Sequence, residues 1–224
     1  MQKTMLVGGL LCLVAFAGFS EGMCVKVEPV RPQTKMVLFN GHDFQGWTKV
    51  IKNEAGACPD KTWRIEEGVI KCAGTPFGYL RTQQVYADYQ LHVEYRWADT
   101  TTKAPNSGVF VFTTGPDDHF LPKAIEAQLK SGSAGDWVLL SKATLNGVEN
   151  PGNKSVKRQG QDSEKERGAW NCVDVTVKGN TVEVRINGVV QNTGKDVYTD
   201  AGQICLQSEG GAIDFRNVYI EPLK

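Results

Sequence analysis

From Tyr89 to Trp97 the chain alternates without a break: Tyr89, Leu91, Val93, Tyr95 and Trp97 are apolar, and Gln90, His92, Glu94 and Arg96 between them are polar. Successive side chains of a strand point to opposite faces, so this period of two predicts a half-buried β-strand and excludes an amphipathic helix. A hairpin follows the same logic. Val173-Asp174-Val175-Thr176-Val177 runs through Lys178-Gly179-Asn180 into Val182-Glu183-Val184-Arg185-Ile186, and Asn187-Gly188 supplies a second tight turn. Gly108 to Phe112 is a continuous apolar run suited to a strand buried on both faces. No segment keeps helical periodicity over three turns. Many short strands with turn signals between them predict an all-β sandwich of antiparallel sheets.

The 224 residues suffice for one full core. Lys3 and the apolar run Met5 to Phe19, with Ala15-Phe16-Ala17 as a small-x-small cleavage site, read as a signal peptide over residues 1–17. The run is too short to favour a membrane span, so the mature chain is expected outside the cytoplasm, periplasmic or extracellular. Residues 18–35, rich in Pro, Glu and Lys, read as a tether, and residues 36–224 as the folded domain. Basic and acidic residues balance at 25 each, which argues against nucleic acid or anionic lipid as a partner. Five cysteines follow Ala17. Cys58 could pair with Cys72 and Cys172 with Cys205, leaving Cys24. Glu21-Gly22-Met23 ahead of Cys24 is a poor match to a lipoprotein processing site. The polar, glycine-bearing stretch from about Ser141 to Arg167 reads as a long loop beside the site.

Polar residues inside apolar strands mark where a site should lie, because burying such groups costs free energy unless they are paired or used. In Ile125-Glu126-Ala127-Gln128-Leu129, a strand turns Ile125, Ala127 and Leu129 to the core and puts Glu126 and Gln128 together on the other face. A carboxylate beside an amide can act as base, acid or metal ligand. Gln207 and Glu209 share a strand face in the same way. Asn106-Ser107-Gly108 suits a turn or a site equally. Arg216 could hold an oxyanion or pair with Glu126 or Glu209. Trp170, next to Asn171 at the start of the hairpin strand, could be a stacking platform or core; Trp47, Trp63 and Trp97 read as core. His42 and His92 are isolated, and His119, in Asp117-Asp118-His119, is a minor candidate for base or ligand. Asp117, Asp118 and Asp136 could serve a calcium ion, but no ligand spacing requires one, and no His/Cys cluster suggests zinc. No Ser-His-Asp order, phosphate loop or dinucleotide fingerprint occurs, nor the Glu-x-Asp-x-x-Glu strand of two-carboxylate glycosidases.

Taken in order, Leu38-Phe39-Asn40-Gly41-His42-Asp43-Phe44-Gln45-Gly46-Trp47, Asn106-Ser107-Gly108-Val109-Phe110, Ile125-Glu126-Ala127-Gln128-Leu129, Trp170-Asn171 and the run Gly202 to Val218 resemble the 3-keto-disaccharide hydrolase domain family over residues 36–223. The resemblance implies a concanavalin-like jelly roll with a groove across one sheet and a small carbohydrate as substrate. It implies cleavage of 3-keto-glycosides by C2 proton abstraction and β-elimination, followed by hydration. Glu126, Glu209 and Arg216 are then the catalytic candidates, and Asn106, Gln128, Trp170, Asn171 and Gln207 the binding candidates. Many members carry an imidazole near the position of Glu209, where this chain has Ser208-Glu209. The alternative is a lectin-like domain that binds sugar in the same groove without turnover.

Overall fold

The computed structural model describes residues 28–116, 121–149 and 154–224. The expected leader, Cys24, Asp117, Asp118 and His119 lie outside the described residues.

The alternating segments form the strands expected of them. In chain order these are β1 (Met36–Val37), β2 (Trp47–Ile51), β3 (Trp63–Glu66), β4 (Val69–Cys72), β5 (Gly78–Thr82), β6 (Tyr89–Trp97), β7 (Gly108–Thr114), β8 (Lys123–Gln128) and β9 (Trp137–Leu140). There follow β10 (Thr144–Leu145), β11 (Val148–Glu149), β12 (Lys154–Val156), β13 (Asn171–Lys178), β14 (Thr181–Ile186), β15 (Val189–Gly194), β16 (Gln203–Ser208) and β17 (Ile213–Pro222). The helix among the described residues is a single turn, α1 (Pro59–Thr62).

Two antiparallel sheets face each other. The back sheet runs β15-β14-β13-β6-β17-β4-β3, with β1 on β17, and the front sheet runs β12-β9-β8-β7-β16-β5-β2. The hairpin closes as the sequence predicts, with Lys178 opposite Thr181. Asn187 and Gly188 both take positive φ (50° and 81°) in the turn into β15, the conformation that Asn-Gly tolerates at low cost. Between the sheets lies one core. The back sheet contributes Tyr89, Leu91, Val93, Tyr95, Trp97, Val173, Val175 and Phe215, and the front sheet Leu80, Val109, Ile125, Ala127, Leu129 and Leu206. Trp47, Trp63 and Trp97 are buried in it as expected.

Three expectations need correction or refinement. The stretch after Ser141 is not structureless: β10 and β11 form a small hairpin, and β12 adds to the front sheet beside β9. Pairing Val156 with Trp137 and Ser155 with Val138 brings this segment to the edge of the site face. No disulfide joins the described cysteines. Cys172 and Cys205 stand in different sheets, since β13 belongs to the back sheet and β16 to the front. Finally, residues 28–35 lie along the sandwich: Val30 bridges Tyr86, Arg31 pairs with Asp88 at 2.9 Å, and Lys35 sits 3.2 Å over the Tyr219 ring.

Candidate functional site

Because the front sheet packs one face against the core, alternate residues of its strands point the other way. On β8 these are Ala124, Glu126 and Gln128; on β16, Cys205 and Gln207. Strand register sets them side by side: Gln128 lies opposite Gly108, and Glu126 opposite Phe110 and Val138. A cleft of about 220 Å³ opens here, lined by Asn106, Glu126, Gln128, Gln207, Glu209 and, at its apolar edges, Phe77, Leu121, Val138 and Leu140, with Ser155 from β12.

Each residue of Asn106-Ser107-Gly108 has a separate task. Asn106 turns its side chain into the cleft and bridges through its backbone to Glu209. The buried Ser107 hydroxyl donates to the Gln207 carbonyl at 2.8 Å, tying β7 to β16. Gly108 leaves room for the carboxyl of Glu126. A Cβ at that position would lie 2.2 Å from Glu126 Oε1 and 2.7 Å from its Cγ, inside any tolerable contact. The glycine is therefore required by the neighbouring carboxyl and not by a turn.

Buried polar atoms normally find a partner, so those without one indicate where a ligand belongs. Six such side-chain atoms occur among the described residues, and three of them, Asn106 Oδ1, Glu126 Oε1 and Gln207 Oε1, belong to this cleft. The others, on Trp63, Trp137 and Gln191, share no cavity with it. Gln128 Oε1 accepts from the Lys130 amide at 2.9 Å, which leaves its amide nitrogen as the end that faces a ligand. Two unpartnered amide oxygens and one unpartnered carboxyl oxygen suit the hydroxyls of a sugar, which both donate and accept.

The two carboxyls differ. Glu126 is 2 % exposed, and burial, reinforced by the negative charge of Glu209, pushes its carboxyl well above the usual carboxylate range. Glu209 is also raised by burial, but it is only half-buried, and a Gln207 hydrogen bond and the Lys130 charge oppose the shift.

The structure separates the remaining candidates from this cleft. Arg216 is on β17, in the back sheet; its Nε donates to Glu94 at 2.6 Å, so its ion-pair partner is neither Glu126 nor Glu209. Trp170 stacks beneath that guanidinium at 3.9 Å and against Arg96 at 4.7 Å, again on the back sheet's side. Asn171 is buried and structural: its Oδ1 accepts from the Lys165 amide and from Asn187 Nδ2, both at 2.8 Å. Residues on opposite sheets of a sandwich cannot share a front-sheet cleft, and the one-dimensional motif order gives no sign of which sheet a strand joins. Asp136 is engaged by Lys157 Nζ and the Arg158 amide, both at 2.9 Å. Among the described residues, no group of three or more His, Cys, Asp or Glu side chains converges as a metal site. Phe77, Leu121, Val138, Leu140 and Ser155 were not legible as site residues; only the apolar character of Val138 and Leu140 on the second face of β9 would have marked any of them.

A larger hollow of about 500 Å³ lies on the back sheet, lined by Lys35, His92, Glu94, Asn217 and Tyr219 among others. Its polar groups satisfy one another. Glu94 accepts from Arg216 and Asn217, and His92 Nδ1 lies 2.6 Å from Asp174 Oδ1. Size alone favours the hollow, but the unpartnered atoms favour the front-sheet cleft.

Similar proteins agree with this architecture. A Parabacteroides distasonis protein provisionally described as a glycosyl hydrolase superposes with a TM-score of 0.63 at 21 % identity, covering 85 % of this chain and 94 % of its own. A Bacillus licheniformis β-glucanase gives 0.58 at 14 %, covering 85 % and 99 %. The carbohydrate-binding module CBM66 of Bacillus subtilis gives 0.57 at 11 %, covering 79 % and 95 %. At these identities the likeness establishes the concanavalin-like jelly-roll fold. Among curated protein sequences none matches this one. The profile of the 3-keto-alpha-glucoside-1,2-lyase-like domain matches residues 34–221, nearly the whole described sandwich, and the chain belongs to that family.

Proposed function

We propose that this chain is an exported enzyme that cleaves 3-keto-glycosides in the front-sheet cleft. The observation that carries the reading is the pair Glu126 and Glu209, two carboxyls in one cleft, both pushed up by burial, with Glu126 fully buried and Glu209 half-exposed beside Gln207 and Lys130. Where environments push two titratable groups apart, the acid and the base can be told apart. Glu209, half-exposed and favoured as the anion by Gln207 and Lys130, is the base. Glu126, buried beside Glu209, keeps its proton and is the acid.

A ketone at C3 acidifies the C2 proton. Glu209 removes that proton, the C2–H electron pair becomes the C1=C2 double bond in conjugation with the ketone, and the C1–O bond breaks. Its electrons leave with the glycosidic oxygen, which takes the proton of Glu126. Water added across C1=C2 then completes a net hydrolysis. Charge developing on the C3 oxygen meets the amide nitrogens of Gln128 and Asn106, since the third amide of the cleft, Gln207, bonds Glu209. Arg216 has no part in this chemistry because it is held on the other sheet. The few strong catalytic groups match the modest demand of an elimination whose proton is already activated.

The test is mass-resolved product analysis on the purified domain with 3-keto-trehalose, 3-keto-lactose and their unoxidised parents, with and without chelator. Cleavage restricted to the keto forms is expected. Cleavage of an unoxidised parent would contradict the reading, and sugar binding without turnover of any keto form would replace it with the lectin-like alternative. Loss of activity in the chelator lane would add a divalent cation, such as calcium, to the mechanism.

A further inference from the structure

Trp170, the candidate platform for a sugar ring, stands on the back sheet's side. Among the described residues, the aromatic side chain that lines the front-sheet cleft is Phe77. Register explains its place. In the pairing of β5 with β16, Tyr79 lies opposite Gln207 and Gly78 opposite Ser208, so one residue further Phe77 comes opposite Glu209. Side chains two apart share a face, so Phe77 turns the same way as Tyr79, and Glu209 the same way as Gln207. Tyr79 is buried against Phe110, with ring centroids 6.0 Å apart, whereas Phe77 is half-buried at the cleft. Its backbone is fixed from two sides. The Phe77 carbonyl accepts from the Lys52 amide at 2.7 Å, and the Pro76 carbonyl before it accepts from the Ser208 hydroxyl at 2.8 Å. Opposed residues of an antiparallel pair stand about 4.5–5.5 Å apart at Cβ, which makes the Phe77 ring and the Glu209 carboxyl immediate neighbours.

From this arrangement we infer that Phe77 is the floor on which the oxidised sugar ring lies, and that it favours a ring whose C4 hydroxyl is equatorial. The inference rests on the keto-glycoside reading of the same cleft and adds a substrate preference. In a glucose-configured ring the hydrogens at C2 and C4 are both axial and point to the same face. Glu209 takes the C2 hydrogen, so that face turns toward Glu209 and, with it, toward Phe77. The C4 hydrogen then meets the electron-rich face of the aromatic ring. Equatorial hydroxyls point outward around the rim of the sugar, where Asn106 Oδ1 and Gln207 Oε1 are unpartnered. A ketone at C3 lies in that rim and leaves the contact undisturbed. In a galactose-configured ring the C4 hydroxyl is axial on this same face. It would be pressed against the phenyl ring and lose its hydration there, so 3-keto-galactosides are cleaved less well. The contact does not involve the C1 side and sets no limit on a second sugar as the leaving group.

Steady-state kinetics with methyl 3-keto-α-glucoside and its C4 epimer test this, alongside NMR titration with the two unoxidised methyl glycosides, which reads binding without turnover. The wild-type protein should show a kcat/KM about tenfold higher for the glucoside, and bind its unoxidised parent more tightly by a similar factor, the order of one aromatic contact. Phe77→Ala and Phe77→Leu should each raise KM for the 3-keto-glucoside about tenfold with kcat changed far less, and bring the ratio between epimers close to unity. Phe77→Trp should keep both the low KM and the preference. A purely structural role would lower the active fraction and leave KM and the epimer ratio as in the wild type. That outcome, equal rates on the two epimers in the wild type, or no binding of either unoxidised glycoside would overturn the inference. A binding preference that is lost in Phe77→Ala, with no cleavage of either keto form by the wild type, would keep the aromatic floor and overturn the keto-glycoside reading instead.

Discussion

Burial holds the Glu126 carboxyl well above its ordinary range, which bears on stability as well as on the proposed proton transfer. Its folded-state pKa is raised above the ordinary 4.5. Above that pH the unfolded chain ionises freely, whereas the folded chain must hold the proton or bury a charge. Stability is therefore lost as pH rises from 4.5 toward the raised value. Glu126→Gln removes the penalty. Its melting temperature should exceed that of the wild type by a margin that widens across that window, as differential scanning calorimetry at stepped pH would show; a constant margin would mean that Glu126 is not buried as an acid. The same substitution should remove the alkaline limb of the kcat/KM profile, because that limb reports deprotonation of the donor. Gly108→Ala puts a methyl group where the carboxyl lies. Displacing a catalytic group by about 1 Å can cost ~10²-fold in rate, so kcat should fall on that order while the strand itself is preserved. The pairing of Glu126 with Gln128 on one face was legible from their spacing alone. That Gly108 serves Glu126 was not, because the contact crosses from β7 to β8 and depends on register.

At the scale of elements, the strands decide which polar residues meet. β8, β7 and β16 are neighbours in the front sheet, and so Glu126, Gln128, Asn106, Gln207 and Glu209 converge. β13 and β17 belong to the back sheet and carry Asn171 and Arg216 away. Periodicity reveals that a strand has two faces, but not which sheet it joins, and so these two candidates misled. Asn171→Leu should leave the Lys165 amide and Asn187 without their acceptor and destabilise by about 1–3 kcal/mol with activity retained by the folded fraction, measurable by urea unfolding alongside kcat. Arg216→Ala breaks a partly exposed pair with Glu94, an interaction worth about 0–1 kcal/mol, and should leave kcat/KM unchanged. A large loss of activity with unchanged stability in either variant would return that residue to the site.

At the scale of the whole molecule, one core between two sheets supplies the cohesion, without disulfides among the described cysteines. The thermal midpoint should be the same with and without reductant; a fall on reduction would show that a bridge forms. The sandwich was legible from alternation and turn chemistry, which are local. The apolar rim of the cleft was not, since Leu121, Val138 and Leu140 meet Glu126 only through the register of β8 with β9 and the approach of the segment before β8. Family membership and the unpartnered oxygens of the cleft bear on one central claim, that a C2 proton is removed before the glycosidic bond breaks. Cleavage of a 3-keto-glycoside in deuterated water, with mass spectrometry of the released keto-sugar at early times, measures that step directly. One deuterium at C2 in the product of the wild-type protein, and no cleavage by Glu209→Gln, are expected. Release of a keto-sugar that keeps its original C2 proton would show direct hydrolysis at C1 and contradict that claim.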